Sequence, residues 1–120
     1  MQVPFEATLL RIVLRDYDVF HGKILCDQLV RKARDRGLAS ATATRALLGY
    51  GPTHEELDFK LVDDVPVVVE IIDTDDNVRR FLPEVDAMLD CGIITLQRVS
   101  VVRCGRDRSR VPESPGHSLT

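Results

Sequence analysis

The sequence lacks the features that mark most exported, metal-binding and nucleic-acid-binding proteins. Its three cysteines, Cys26, Cys91 and Cys104, are odd in number and far apart, with no CxxC and no histidine cluster. That pattern indicates neither a disulfide framework nor a zinc site, and it predicts a reducing, cytoplasmic setting. No run approaches the ~18 apolar residues that span a bilayer. The N-terminal MQVPFEATLLRIVLRD has no basic segment followed by an apolar core, so neither export nor membrane insertion is expected. Basic excess is also missing: 16 Lys and Arg stand against 19 Asp and Glu, a net charge of -3 spread along the chain. A nucleic-acid surface normally shows as basic excess on one face, so no nucleic-acid partner is expected. No Ser, Cys or Asp forms a recognisable nucleophile arrangement with a histidine. No catalytic residue, metal site or cofactor is therefore assigned.

What is present is the patterning of one α+β domain. With 120 residues, 44% of them hydrophobic and 29% charged, the chain fits a single core. Residues 7 to 15 alternate Leu10, Ile12 and Leu14 against Leu9, Arg11 and Val13, the period of a strand. After the polar Asp16-Tyr17-Asp18, the spacing of Cys26, Leu29, Val30 and Ala33 predicts an amphipathic helix, stopped at Gly37 by a left-handed cap. Small and β-branched residues from 39 to 48 read as a second strand, and VPVVVEIID at 65 to 73 as a central strand buried on both sides.

Asp73-Thr74-Asp75-Asp76 offers capping oxygens and negative charge to a second helix, with Val78, Phe81, Leu82, Val85, Met88 and Leu89 on one stripe. Pro83 inside it predicts a kink or an irregular first turn. The last strand spans 92 to 103, and a change of phase between Leu96 and Val99 predicts a bulge near Gln97-Arg98. Residues 1–104 are thus read as the domain and 105–120, rich in Pro, Ser, Gly and charge, as a disordered tail. The order β-α-β-β-α-β is the ferredoxin-like arrangement, four antiparallel strands with two helices on one face. Its strands carry apolar residues on both faces, which predicts that the uncovered face meets another subunit.

Gly49-Tyr50-Gly51-Pro52-Thr53-His54 opens a connection too long for a tight hairpin, in the length range of functional loops. Its glycines allow backbone amides to approach a ligand, in the manner of an anion-binding nest, and Tyr50 adds a ring and a hydroxyl. A turn leaving a strand reads equally from the same residues. His54 is the loop's only group that titrates near neutral pH, a candidate base, metal ligand or phosphate contact, or a solvated loop histidine. Arg45, four residues before Gly49, and Lys60, after the loop, are candidates to bring positive charge to its base, or are solvated surface residues. His21-Gly22-Lys23 reads as an anion-friendly helix entry or a plain one. Glu70, in an otherwise apolar strand, is expected to pair across the sheet with Arg11, Arg45 or Arg98.

Taken in order, these residues resemble a family: the PII-like prokaryotic proteins called domain of unknown function one-ninety, related to the nitrogen regulatory PII proteins. The runs that carry the resemblance are His21-Gly22-Lys23, Leu29-Val30, Ala33-Arg34, Gly37-Leu38, Ala41-Thr42, Arg45, Gly49-Tyr50-Gly51, His54, residues 65–73, Phe81-Leu82-Pro83 and residues 92–96. They span about residues 7 to 104. The resemblance implies a ferredoxin-like subunit in a homotrimer that senses a small anionic metabolite, an adenine nucleotide among the candidates. It also implies regulation of a protein partner, a transporter or an enzyme, through the loop between the second and third strands. Arg45, Gly49, Tyr50, Gly51, His54 and Lys60 would then be ligand-binding, at clefts between subunits.

The chain departs from PII proteins in having only Asp90-Cys91-Gly92-Ile93 where they carry a glycine-rich phosphate loop. Within the closer family, Ala46 replaces a usual glycine, Ile24 a common proline, and the loop between Gly51 and His54 is short. Two other readings follow from the residues: a metal-binding protein or enzyme using His54, or a structural oligomer whose ligand site has decayed.

Overall fold

The computed structural model describes residues 4–51 and 65–105. The expected tail beyond Gly105 lies outside the described residues, as do His54 and Lys60. Strands β1 (Phe5–Arg15), β4 (Ser40–Arg45), β5 (Pro66–Asp73) and β6 (Ile93–Val101) form one antiparallel sheet in the order β4-β5-β1-β6. Helix α1 (Leu25–Asp35) connects β1 to β4, and α2 (Asp75–Met88) connects β5 to β6. This is the ferredoxin-like α+β arrangement that the alternation predicts.

Register decides which residues meet the helices. Leu10 pairs with Ile71, Ile12 with Val69 and Leu14 with Val67, so these side chains share one face of the sheet. Leu10, Ile12, Leu14, Val69 and Ile71 pack there with Leu25, Leu29 and Ala33 of α1 and Val78, Phe81, Val85 and Met88 of α2. Each fully buried large aliphatic chain in that cluster stabilises the fold by about 2 kcal/mol relative to exposure. The opposite face carries Leu9, Arg11 and Val13 of β1 and Val68, Glu70 and Ile72 of β5, and neither helix covers it.

The helix ends follow the local chemistry. Gly37, with φ of 75°, lets its own N–H reach the Arg34 carbonyl (3.0 Å) and the Leu38 N–H reach that of Ala33 (3.1 Å). Those paired bonds close a Schellman cap on α1. At the start of α2, Thr74 Oγ1 accepts from the Asn77 N–H (3.3 Å), and Asp75 and Asp76 sit in the first turn. The helix runs unbroken through Pro83, whose missing N–H leaves the Arg79 carbonyl without its usual intrahelical donor.

Two expectations are corrected. The β1–β6 pairing is continuous from Phe5↔Val101 to Val13↔Ile93, with no bulge at Gln97-Arg98. The phase change has another cause: Ile94 and Leu96 pack against the core, whereas Val99 and Val101 fall by alternation on the helix-free face. His21-Gly22-Lys23 is not a helix entry either. His21 and Gly22, with φ of 51° and 77°, form the two-residue turn between the short strands β2 (Val19–Phe20) and β3 (Lys23–Ile24). Positive φ at both central residues matches a type I′ hairpin, and α1 begins only at Leu25.

Candidate functional site

The predicted loop root lies where β4 ends and β5 begins. The Ala46 N–H donates to the Pro66 carbonyl (2.9 Å), closing the β4–β5 ladder before the chain departs. Gly49 and Gly51 then pass over Pro66: a β-carbon on Gly49 would stand 3.9 Å from its ring, and one on Gly51 3.7 Å from its Cβ. Gly51 also reaches β1, where the same added carbon would stand 3.3 Å from Val13 Cγ1. Pro66 and Val13 both belong to the helix-free face, so the GYG backbone is laid against that face. The φ of 148° at Gly49 is a conformation that only glycine adopts readily. Tyr50, between the glycines, is largely exposed, as are Leu47 and Leu48 before it.

A second glycine meets the same point from the turn between α2 and β6. A β-carbon on Gly92 would stand 3.1 Å from the Val13 carbonyl oxygen, so only a residue without one fits easily. Gly51 and Gly92 thus approach the same residue, one at the Val13 side chain and the other at its carbonyl. Arg45 takes a different direction. Its guanidinium donates to Asp16 Oδ2 (2.7 Å) in the turn after β1, and its side chain remains 65% exposed. The loop root thus carries a cation already shared with a carboxylate.

Beside it, Arg15 is held by buried Asp18: the backbone N–H donates to Oδ2 (2.9 Å) and Nε to Oδ1 (2.7 Å). The Asp18 hydrogen bond raises the Arg15 pKa further, so this pair is a fixed brace for the turn. Arg15 also lies over the Tyr17 ring, 4.8 Å from its centroid. Among the described residues no group of three or more His, Cys, Asp and Glu side chains gathers to hold a metal ion. His54 lies outside that set.

Sequence reasoning missed a cleft of about 340 Å³ between α2 and the β1–β6 pair, lined by Glu6, Thr8, Asp75, Arg79 and Arg98 among others. Thr8 Oγ1 donates to Asp75 Oδ1 (2.7 Å) and Arg79 Nε to Asp75 Oδ2 (2.8 Å). Hydrogen bonds from Thr8 and then Arg79 hold the Asp75 carboxyl below the usual carboxylate range.

Residues 7–101 match the DUF190 family, described as uncharacterized ACR. The chain belongs to this family. A UPF0166 protein of Aquifex aeolicus is 42% identical over 100 residues, covering 81% of this chain and 94% of that one. A UPF0166 protein of Methanocaldococcus jannaschii is 32% identical over 81 residues, covering 66% and 75%. Among solved structures, a protein of Thermus thermophilus described as PII-like and signaling superposes with a TM-score of 0.57 at 19% identity, over 81% of this chain and 90% of that one. CPII from Thiomonas intermedia, described as a nitrogen regulatory PII-like protein bound to ADP, AMP and bicarbonate, gives 0.52 at 20% identity, over 82% and 91%. At such identities the likeness shows the fold: this DUF190 member has the PII-like form of the ferredoxin-like sandwich. No helix among its described residues is long and apolar enough to cross a membrane.

Proposed function

We propose that this DUF190 protein is a PII-like regulator of the cytoplasm rather than an enzyme. Three copies join through the helix-free sheet face, and a small anionic metabolite, of the adenine-nucleotide class, binds in the clefts between them. The observation that carries this reading is the path of Gly49-Tyr50-Gly51. Its backbone lies against Val13 and Pro66 on the face assigned to the subunit boundary, with Tyr50 turned largely to solvent. Glycine-flanked amides and an exposed ring are suited to a phosphate and a flat base. Arg45 adds charge at the start of the loop, and His54 and Lys60 complete the proposed set of ligand residues. Further support comes from the fold shared with CPII, whose own structure is described with ADP, AMP and bicarbonate.

Binding there acts on the connection between β4 and β5, and a protein partner, a transporter or an enzyme, reads the change. The test is light scattering together with a thermal-shift and calorimetric screen of AMP, ADP, ATP, cyclic dinucleotides and bicarbonate. A trimer stabilised by at least one adenine nucleotide is expected. A well-folded trimer that responds to none of them removes the sensor reading and leaves a structural oligomer.

A further inference from the structure

The helix-free face is crossed by a single polar row. The registers align Thr42 of β4 with Glu70 of β5, Glu70 with Arg11 of β1, and Arg11 with Thr95 of β6. Alternation puts all four on the same side of the sheet. The rows on either side are apolar at their centres: Ile72 with Leu9 on one flank, Val68 with Val13 on the other. Arg11 donates to Glu70 through both Nε (2.9 Å) and Nη2 (2.8 Å), and both contacts fall on Oε2. Among the described residues neither Glu70 Oε1 nor Arg11 Nη1 takes part in a hydrogen bond or ion pair. The two side chains are 39% and 41% exposed.

Such a pair is poorly suited to burial under an apolar surface. Removing it from water without filling the open acceptor and donor carries a large desolvation cost. It is well suited to a surface that presents a donor beside an acceptor within an apolar surround. A second copy of this row has that composition: contacts in a three-membered ring are head-to-tail, so Arg11 of one copy can meet Glu70 of the next.

We propose that the Arg11–Glu70 pair, with Thr42 and Thr95, is the recognition stripe by which copies of this chain select one another and set their register. The inference rests on the trimer reading above and adds to it which residues determine the choice of partner. Val68 and Ile72, both half-buried, supply apolar burial that many surfaces would match. The charged row excludes those that lack a matching donor and acceptor.

Light scattering and sedimentation across a dilution series of the full chain test it. The variants are Arg11→Glu, Glu70→Arg and the two together, each checked for fold by circular dichroism. Either single change places like charges together and is expected to weaken assembly by about a hundredfold or more. The double exchange restores opposite charges and is expected to recover most of that loss. Native mass spectrometry of the wild type mixed with the double exchange is expected to show few mixed oligomers. Single variants that assemble as tightly as the wild type, or free mixing with the double exchange, would overturn the stripe while leaving the trimer in place. A wild-type chain that stays monomeric would overturn both.

Discussion

Gly51 lies so close to Val13 that a β-carbon at position 51 would stand 3.3 Å from Val13 Cγ1. Gly92 approaches the same residue from the backbone side, 3.1 Å from its carbonyl oxygen by the same construction. The two contacts differ in what can give way. Val13 Cγ1 ends a side chain and Gly51 precedes a long connection, whereas the Val13 carbonyl is fixed in the ladder of a central strand. Gly51→Val is therefore expected to displace the GYG segment and abolish nucleotide binding, with little change in denaturation midpoint and the oligomer intact. Gly92→Ala is expected to lower unfolding stability by about 1–3 kcal/mol, since the carbonyl cannot move without disturbing the sheet. Urea denaturation beside calorimetry separates the two; a Gly51→Val variant that keeps its affinity would remove GYG from the site.

Asp73 joins β5, α2 and the entry to β4. Its carboxylate accepts from the Ala39 N–H (2.8 Å), the Thr74 N–H (2.6 Å) and Asn77 Nδ2 (2.9 Å), and the residue is buried. Burial pushes this carboxyl up, but the hydrogen bonds from Asn77, Thr74 and Ala39 together outweigh it and leave the group below its ordinary value. A carboxyl depressed in the folded state stabilises it fully above the unfolded pKa, about 4, and loses that contribution as pH falls through the lower folded value. Asp73→Ala is expected to lose about 2–3 kcal/mol at neutral pH, because buried donors are left unpaired. It should also flatten the acid limb of stability against pH below about 4. Denaturation midpoints at pH 7 and pH 3 check both; an unchanged acid limb would show that Asp73 does not govern it.

The Arg45–Asp16 pair can be moved in either direction. Arg45 is 65% exposed, so breaking its ion pair is expected to change stability by less than about 1 kcal/mol. Its effect on binding is larger if the guanidinium meets an anion. Asp16→Asn releases Arg45 and is expected to tighten nucleotide binding several-fold, while Arg45→Gln weakens it by a similar factor. Equal affinities for both variants would take Arg45 out of the ligand set.

Much of the fold was legible in the sequence because its signals are local. Gly37 ends α1 and Thr74 caps α2 through bonds that reach no more than five residues along the chain. The alternation of Leu10, Ile12 and Leu14 marks a core face that the β1–β5 register then matches with Val69 and Ile71. The β2–β3 hairpin was missed because its strands hold two residues each, too few to show a period. At Arg98, alternation misled: apolar residues serve both faces of β6, and a change of face looked like a change of register.

The order of the four sheet strands and two helices, the end of α1, the start of α2 and the composition of the loop root were determined by the sequence alone, since each depends on neighbours along the chain. The partners across the sheet were decided by tertiary structure. Arg11 was one of three arginines that Glu70 had available, and it lies 59 positions away. Only the register of β1 against β5 brings the two side chains together, and only the return of the chain over Pro66 lays Gly51 on Val13. Such contacts are set by how separate elements dock, which pattern along one strand does not encode.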